Sequence, residues 1–109
     1  MKKYNELNFG EKKACISLYP EEAKNDGDWE IRLAAYRANG YTEEAKSDEY
    51  WEIRIEAYRV LGFTEEALKD EYSDIRLGAY RKLGFTEEAE NDENEYIRRE
   101  AKIFLRILK

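Results

Sequence analysis

From residue 40 to residue 61 the chain reads GYTEEAKSDEYWEIRIEAYRVL, and from 62 to 83 it reads GFTEEALKDEYSDIRLGAYRKL. The two stretches share one register over 22 residues, and GFTEEAENDENEYIRREAKIFL at 84–105 keeps it again. Working backwards, Tyr19-Pro20-Glu21-Glu22-Ala23 falls in the same frame as Tyr41-Thr42-Glu43-Glu44-Ala45. Four repeats follow, at 18–39, 40–61, 62–83 and 84–105, with a non-repeating segment 1–17 before them and a tail, 106–109, after. A fixed period of this kind marks an array in which each repeat buries its apolar face on its neighbours. A single repeat domain spanning 1–109 is the expectation.

Each repeat reads as two helices. The first opens at a threonine whose hydroxyl can cap the free amides, while the glutamates after it meet the positive end of the helix dipole. In the first repeat Pro20 takes a place where a first-turn proline is tolerated. This helix is short enough to be α or 3₁₀. The second helix begins after an aspartate (Asp26, Asp48, Asp70, Asp92) and ends at the next glycine, a left-handed stop. At about 100° per residue, Ile53, Ala57 and Leu61 form one stripe and Trp51, Ile55 and Tyr58 another. Glu52, Glu56 and Arg59 are left for solvent. An apolar arc that wide needs cover on several sides, as an inner repeat receives.

An arginine follows the isoleucine in every repeat: Arg32, Arg54, Arg76 and Arg98. It falls inside the apolar arc, where a guanidinium needs a carboxylate and carbonyl partners. The aspartate six residues earlier supplies one, from its own repeat or from a neighbour, giving a stacked Asp–Arg ladder. This Asp-x4-Ile-Arg element resembles the Asp-x4-Val-Arg element of HEAT-like repeats. The pairing of a long helix with an abbreviated one is similar to the leucine-rich repeat variant family. The resemblance covers residues 18–105, although the repeat is shorter than in either family. It implies a right-handed α-solenoid of four two-helix repeats with an N-terminal capping helix, acting as a scaffold for protein contacts.

The flanking repeats differ from the inner ones. Where the second repeat has Trp51, Ile55 and Tyr58, the fourth has Glu95, Arg99 and Lys102, so the aromatic stripe is expected to pack on a following repeat and the fourth has none to cover. Residues 9–18, with Ala14, Cys15 and Leu18 on one side, are expected to form a helix over the opposite end, with Cys15 as a small buried hydrophobe. An apolar strip of Tyr96, Ile103, Phe104 and Ile107, with Leu108 beyond, exceeds what an end requires. It either folds back on the preceding repeat or makes a homodimer or partner contact. Ser73 in the tryptophan's place, Gly78 inside a helix and Leu68 on a polar row are departures from the repeat.

Composition narrows the function. Charged residues make up 40% of the chain, and no apolar run is long enough to span a membrane. Met1-Lys2-Lys3-Tyr4 lacks the apolar stretch of a secretory signal, and a single cysteine cannot form an internal disulfide, so a cytoplasmic protein is the expectation. A net charge of −6 argues against duplex nucleic-acid binding and admits a basic protein partner. The tail departs from that mean: Arg98 to Lys109 holds five basic residues against one acid, +4, leaving −10 elsewhere. Without histidine, and with Cys15 alone, no enzyme, cofactor or metal site is expected. Two surfaces are candidates for binding: an acidic row (Glu21, Glu22, Glu43, Glu44, Glu65, Glu66, Glu87, Glu88) and a mixed ridge (Glu30, Arg37, Glu52, Arg59, Asp74, Arg81). The leading expectation is a non-catalytic interaction scaffold or inhibitor. The alternatives are an acidic DNA mimic and a self-associating structural protein.

Overall fold

The repeat register becomes a repeat of backbone. The computed structural model describes residues 1–108, which are all-α, with no strand among them. Lys109, in the basic tail, lies outside the described residues. Six α-helices run in order: α1 (Phe9–Ala14), α2 (Pro20–Lys24), α3 (Trp29–Asn39), α4 (Trp51–Leu61), α5 (Ser73–Leu83) and α6 (Glu95–Leu108). Short 3₁₀ helices at Glu43–Ser47, Glu65–Lys69 and Glu87–Asn91 stand where α2 stands in the first repeat. The chain divides into two compact units, Met1–Leu61 and Gly62–Lys109, and the division falls at a repeat boundary in the sequence.

Within each half the long helix packs on its own short helix. The alanine that closes each Glu-Glu-Ala is fully buried at Ala23, Ala45, Ala67 and Ala89, and so is the isoleucine at Ile31, Ile53, Ile75 and Ile97. A methyl on the short helix lets the two backbones approach, and the isoleucine fills what remains. In the first half, Leu33 and Tyr36 of α3 pack with Ala45, Ile53 and Ala57 of the second repeat. Trp29 joins them and stacks on Tyr50 with ring centroids 4.1 Å apart. Tyr80 of α5 likewise packs with Ala89, Ile97 and Ala101 of the fourth repeat, with Leu77 against them. The aromatic stripe is core, as expected, whereas Leu61, at the end of the other stripe, is exposed; the fourth repeat's Glu95, Arg99 and Lys102 are exposed too.

Several local expectations are corrected. The threonines Thr42, Thr64 and Thr86 do precede the short helices, but none makes a side-chain cap. In the tight 3₁₀ turn each threonine contributes its carbonyl instead, accepting from Ala45, Ala67 and Ala89 at 3.0 Å. The glycine stop is not left-handed α. Gly40 has φ 101° and ψ 147°, a region essentially reserved for glycine, and Gly84 matches it. The expected helix over 9–18 breaks in two. A capping box of Asn8 and Glu11 starts α1, which ends at Cys15, and a 3₁₀ turn over Ile16–Leu18 follows. Pro20 disfavours helical backbone at Tyr19, and the chain turns there. Ile16 and Tyr19 are therefore the buried residues, while Leu18 and Ala14 are exposed and Cys15 is half-buried.

Gly78 has a packing reason. A Cβ there would lie 2.5 Å from the ring tip of Phe63. The partner positions 15 residues apart carry Tyr41 with Glu56 in the second repeat, where the phenol donates to the carboxylate, and Phe63 with Gly78 in the third. The tip of a ring without a hydroxyl sits against a residue without a side chain. Gly78→Ala, which in an open helix would stabilise by about 1 kcal/mol, is therefore expected to destabilise by about 1–2 kcal/mol through overpacking. Urea unfolding checks the sign.

Candidate binding surface

The buried arginines come first, because they hold the surface in place. Arg32 and Asp48 are both less than a tenth exposed, and Arg32 Nε and Nη2 each donate to the Asp48 carboxylate at 3.0 Å. Its Nη1 donates to the carbonyls of Asp26 and Gly27, at 2.9 and 3.1 Å. Arg76 repeats the arrangement, with Nε and Nη2 on Asp92 at 2.9 Å and Nη1 on the carbonyls of Asp70 and Glu71. The aspartate six residues earlier thus offers its carbonyl, and the carboxylate comes from the following repeat. Arg54 makes the same two carbonyl bonds, to Asp48 and Glu49. Each aspartate also accepts the amide two residues on, as in Asp70 with Tyr72 and Asp92 with Asn94, an Asx turn that leads into the helix.

Asp26 has no arginine before it in the chain. Tyr4 donates to its Oδ2 at 2.6 Å and Lys12 reaches the same oxygen at 3.1 Å. The non-repeating segment therefore replaces one guanidinium with a phenol and an ammonium. Sequence reasoning missed this pair, since neither residue lies in a repeat. Burial and the Asp26 carboxylate push the Tyr4 phenol well above its usual range.

The mixed ridge is mostly exposed, but two of its arginines, Arg37 and Arg81, are paired within the fold. Arg37 pairs with Glu56, which also accepts from Tyr41. Arg37 holds the Glu56 carboxyl below the usual carboxylate range against the effect of burial, and the Tyr41 phenol is pushed up to about 12 by burial and by Glu56. Arg81 meets Glu100 at 3.3 Å and the Tyr96 hydroxyl at 3.0 Å. Glu52 and Glu56 are half-buried rather than left to solvent, while Arg59, Glu30 and Asp74 are exposed. Of the apolar strip, Phe104 folds onto Phe85 with ring centroids 5.5 Å apart. Tyr96 and Ile103 stay about half exposed, and Ile107 and Leu108 more so.

The acidic row is exposed throughout, but its two ends differ. In the first half, Lys24 bridges Glu21 at 3.3 Å and Glu44 at 2.6 Å. Lys46 pairs with Glu43 at 3.2 Å and lies over the Tyr58 ring. The same repeat position holds Leu68 and Glu90 in the second half, so neither bridging lysine has a counterpart there. Glu65, Glu66 and Glu88 instead surround a groove of about 450 Å³, lined also by Leu68, Lys69 and Thr86. Leu68 rests on the Tyr80–Ala89–Ile97 core and gives the groove an apolar floor. Such a groove suits a lysine or arginine side chain, its methylenes on leucine and its cation among carboxylates. Comparing the seventh position of each repeat (Lys24, Lys46, Leu68, Glu90) was the signal available in the sequence.

No family model, curated protein or solved structure matches the chain. The fold class is all-α, and function is read from the geometry above. Among the described residues no helix is long and apolar enough to cross a membrane, and no group of three or more metal-ligating side chains occurs.

The ladder is testable by pH. Burial alone would raise the Asp92 carboxyl, but Arg76, the Asn94 amide and Arg98 outweigh it and hold it below the usual carboxylate range. A depressed carboxyl adds stability that is present above the unfolded value and lost as pH falls through the folded one. Asp92→Asn, which leaves Arg76 buried without its carboxylate, is expected to cost about 3–5 kcal/mol at neutral pH. Urea unfolding at neutral pH and near pH 3 should show the difference between variant and parent shrinking in acid; an unchanged gap would remove the ion pair as its cause.

Proposed function

We propose that this chain is a non-catalytic protein-interaction module, an α-solenoid of HEAT-like repeats that captures a basic segment of a protein partner. The observation that carries the reading is the groove at Glu65, Glu66, Leu68 and Glu88, where carboxylates unbridged by lysine stand around an apolar floor. A lysine- or arginine-bearing strand or helix gains charge and apolar contact there together, whereas Glu21, Glu43 and Glu44 of the first half are already engaged by Lys24 and Lys46. The sequence contains no histidine, and its one cysteine, half-buried, has no base to activate it. An inhibitor acting by occupying a basic surface fits the same site. A DNA mimic needs an unbroken run of unpaired carboxylates, and the two bridging lysines count against that alternative.

Affinity capture from the source cell's lysate, at low and high salt, tests the reading. A retained basic protein should be reduced about tenfold by Glu65→Gln with Glu66→Gln, the effect of losing charged contacts in a partly desolvated site. Glu43→Gln with Glu44→Gln should change retention less than about twofold, because exposed, lysine-paired carboxylates contribute little. Retention untouched by the first pair would remove the groove as the binding site.

A further inference from the structure

Arg98 occupies the ladder position of the fourth repeat and keeps the first of the two carbonyl bonds that hold the others. Its Nη1 donates to the Asp92 carbonyl at 2.7 Å, six residues earlier, as Arg32 does to Asp26 and Arg76 to Asp70. In Arg32 and Arg76 that anchor turns Nε and Nη2 outward, side by side, onto a carboxylate. At Arg98 no carboxylate stands there among the described residues, and the side chain is half-buried. No buried side-chain nitrogen or oxygen among the described residues lacks a partner, so this open edge is in contact with water.

The surface around the open edge has changed sign. At about 100° per residue, Glu95, Arg99, Lys102 and Arg106 share one arc of α6 with Arg98. The matching arc of α3, which holds Trp29, Leu33 and Tyr36 beside Arg32, packs on the second repeat. Arg99, Lys102 and Arg106 are exposed where that arc is apolar, and Glu95 is the one acid among them. An apolar copy of the repeat is therefore a poor match for this face. At Arg32 and at Arg76 a glutamate follows the aspartate and approaches the same guanidinium, Glu49 at 3.8 Å and Glu93 at 3.7 Å.

We infer that Arg98 and the basic arc beside it form a second binding site, which takes an acidic polypeptide segment through a bidentate aspartate followed by glutamate. The guanidinium edge is preset by its carbonyl anchor, so the planar carboxylate meets two parallel N–H donors with little reordering. Arg99, Lys102 and Arg106 add attraction for the flanking acids. This site is independent of the proposed acidic groove and opposite to it in charge.

The probe is a terminally blocked peptide copying residues 89–95, AENDENE, added to the full chain at moderate salt. The readout is the Arg98 Nε–H cross-peak in a ¹⁵N–¹H spectrum. It should move saturably, while those of Arg32 and Arg76 stay in place. The same peptide with Asp92→Asn should bind about tenfold more weakly, a comparison that leaves the protein untouched. In the protein, Arg98→Lys should weaken binding about tenfold and Arg99→Lys less than about twofold, because only the first loses a fork. No shift at millimolar peptide, or equal binding of the aspartate and asparagine peptides, overturns the inference. So does inorganic phosphate moving the Arg98 peak at lower concentration than the peptide, which would make the site a phosphate receptor.

Discussion

A buried guanidinium with two directions to satisfy sets the geometry of the repeat. Arg32 and Arg76 spend one nitrogen on two carbonyls at the entrance to their own helix and two on a carboxylate from the next repeat. Leaving either direction empty would strand charge away from water. The long helix must therefore keep its distance from its own entrance turn and from its successor at once. Lysine could neutralise the carboxylate, but as a flexible point charge it could not fix both directions in a plane. The Asx turn completes the device, because the carboxylate that receives the arginine also shapes the turn into the next helix. One rung thus links the start of a helix, its middle and the neighbouring repeat.

The remaining contacts are tuned repeat by repeat around that frame. Tyr41 with Glu56 and Arg37 makes a polar triad, half-sheltered, on the second repeat. Phe63 with Gly78 replaces it by a ring on bare backbone. Phe85 keeps the ring and gains Phe104 as cover, while Glu100 turns to Arg81. Each solution fills the same space with a different balance of charge and apolar surface. A strict consensus would have made the repeats interchangeable; these substitutions come in compensated sets, which is how locally consistent packing survives divergence.

Much of this was legible because it is a matter of register. The period, the glycine stops, the buried arginine and the polar turn of Glu95, Arg99 and Lys102 all follow from lining up residues 22 apart. The ladder's direction was not legible for the same reason. In a 22-residue period, six residues before and sixteen after are one register position, so spacing cannot choose between Asp26 and Asp48 for Arg32. Only the path of the backbone does, by placing a carbonyl on one side and a carboxylate on the other. The threonine caps failed because a 3₁₀ turn and an α-turn share a sequence signature and differ in where the first amide points. Pro20, two residues beyond the apolar pattern that suggested a continuous helix, marks the turn at Tyr19, whereas the earlier break at Cys15 has no such signal. Tyr4 and Lys12 lie outside the repeats altogether, where periodicity says nothing.

Charge, rather than fold, separates the two halves. At the seventh repeat position the first half has Lys24 and Lys46, and the glutamates beside them are closed into ion pairs. The second half has Leu68 and Glu90 there, and its glutamates stay open around an apolar floor. At the stripe positions the first half has Trp29, Leu33 and Tyr36, consumed by the core, and the fourth repeat has Glu95, Arg99 and Lys102, left to solvent. Both changes remove an internal partner without disturbing the rung that supports them. A side chain whose fold-given partner is gone, on a frame that still holds it in place, is preorganised for a partner from outside. Residues 62–108 carry two such surfaces of opposite sign, whereas the first half keeps more of its charges paired within the fold.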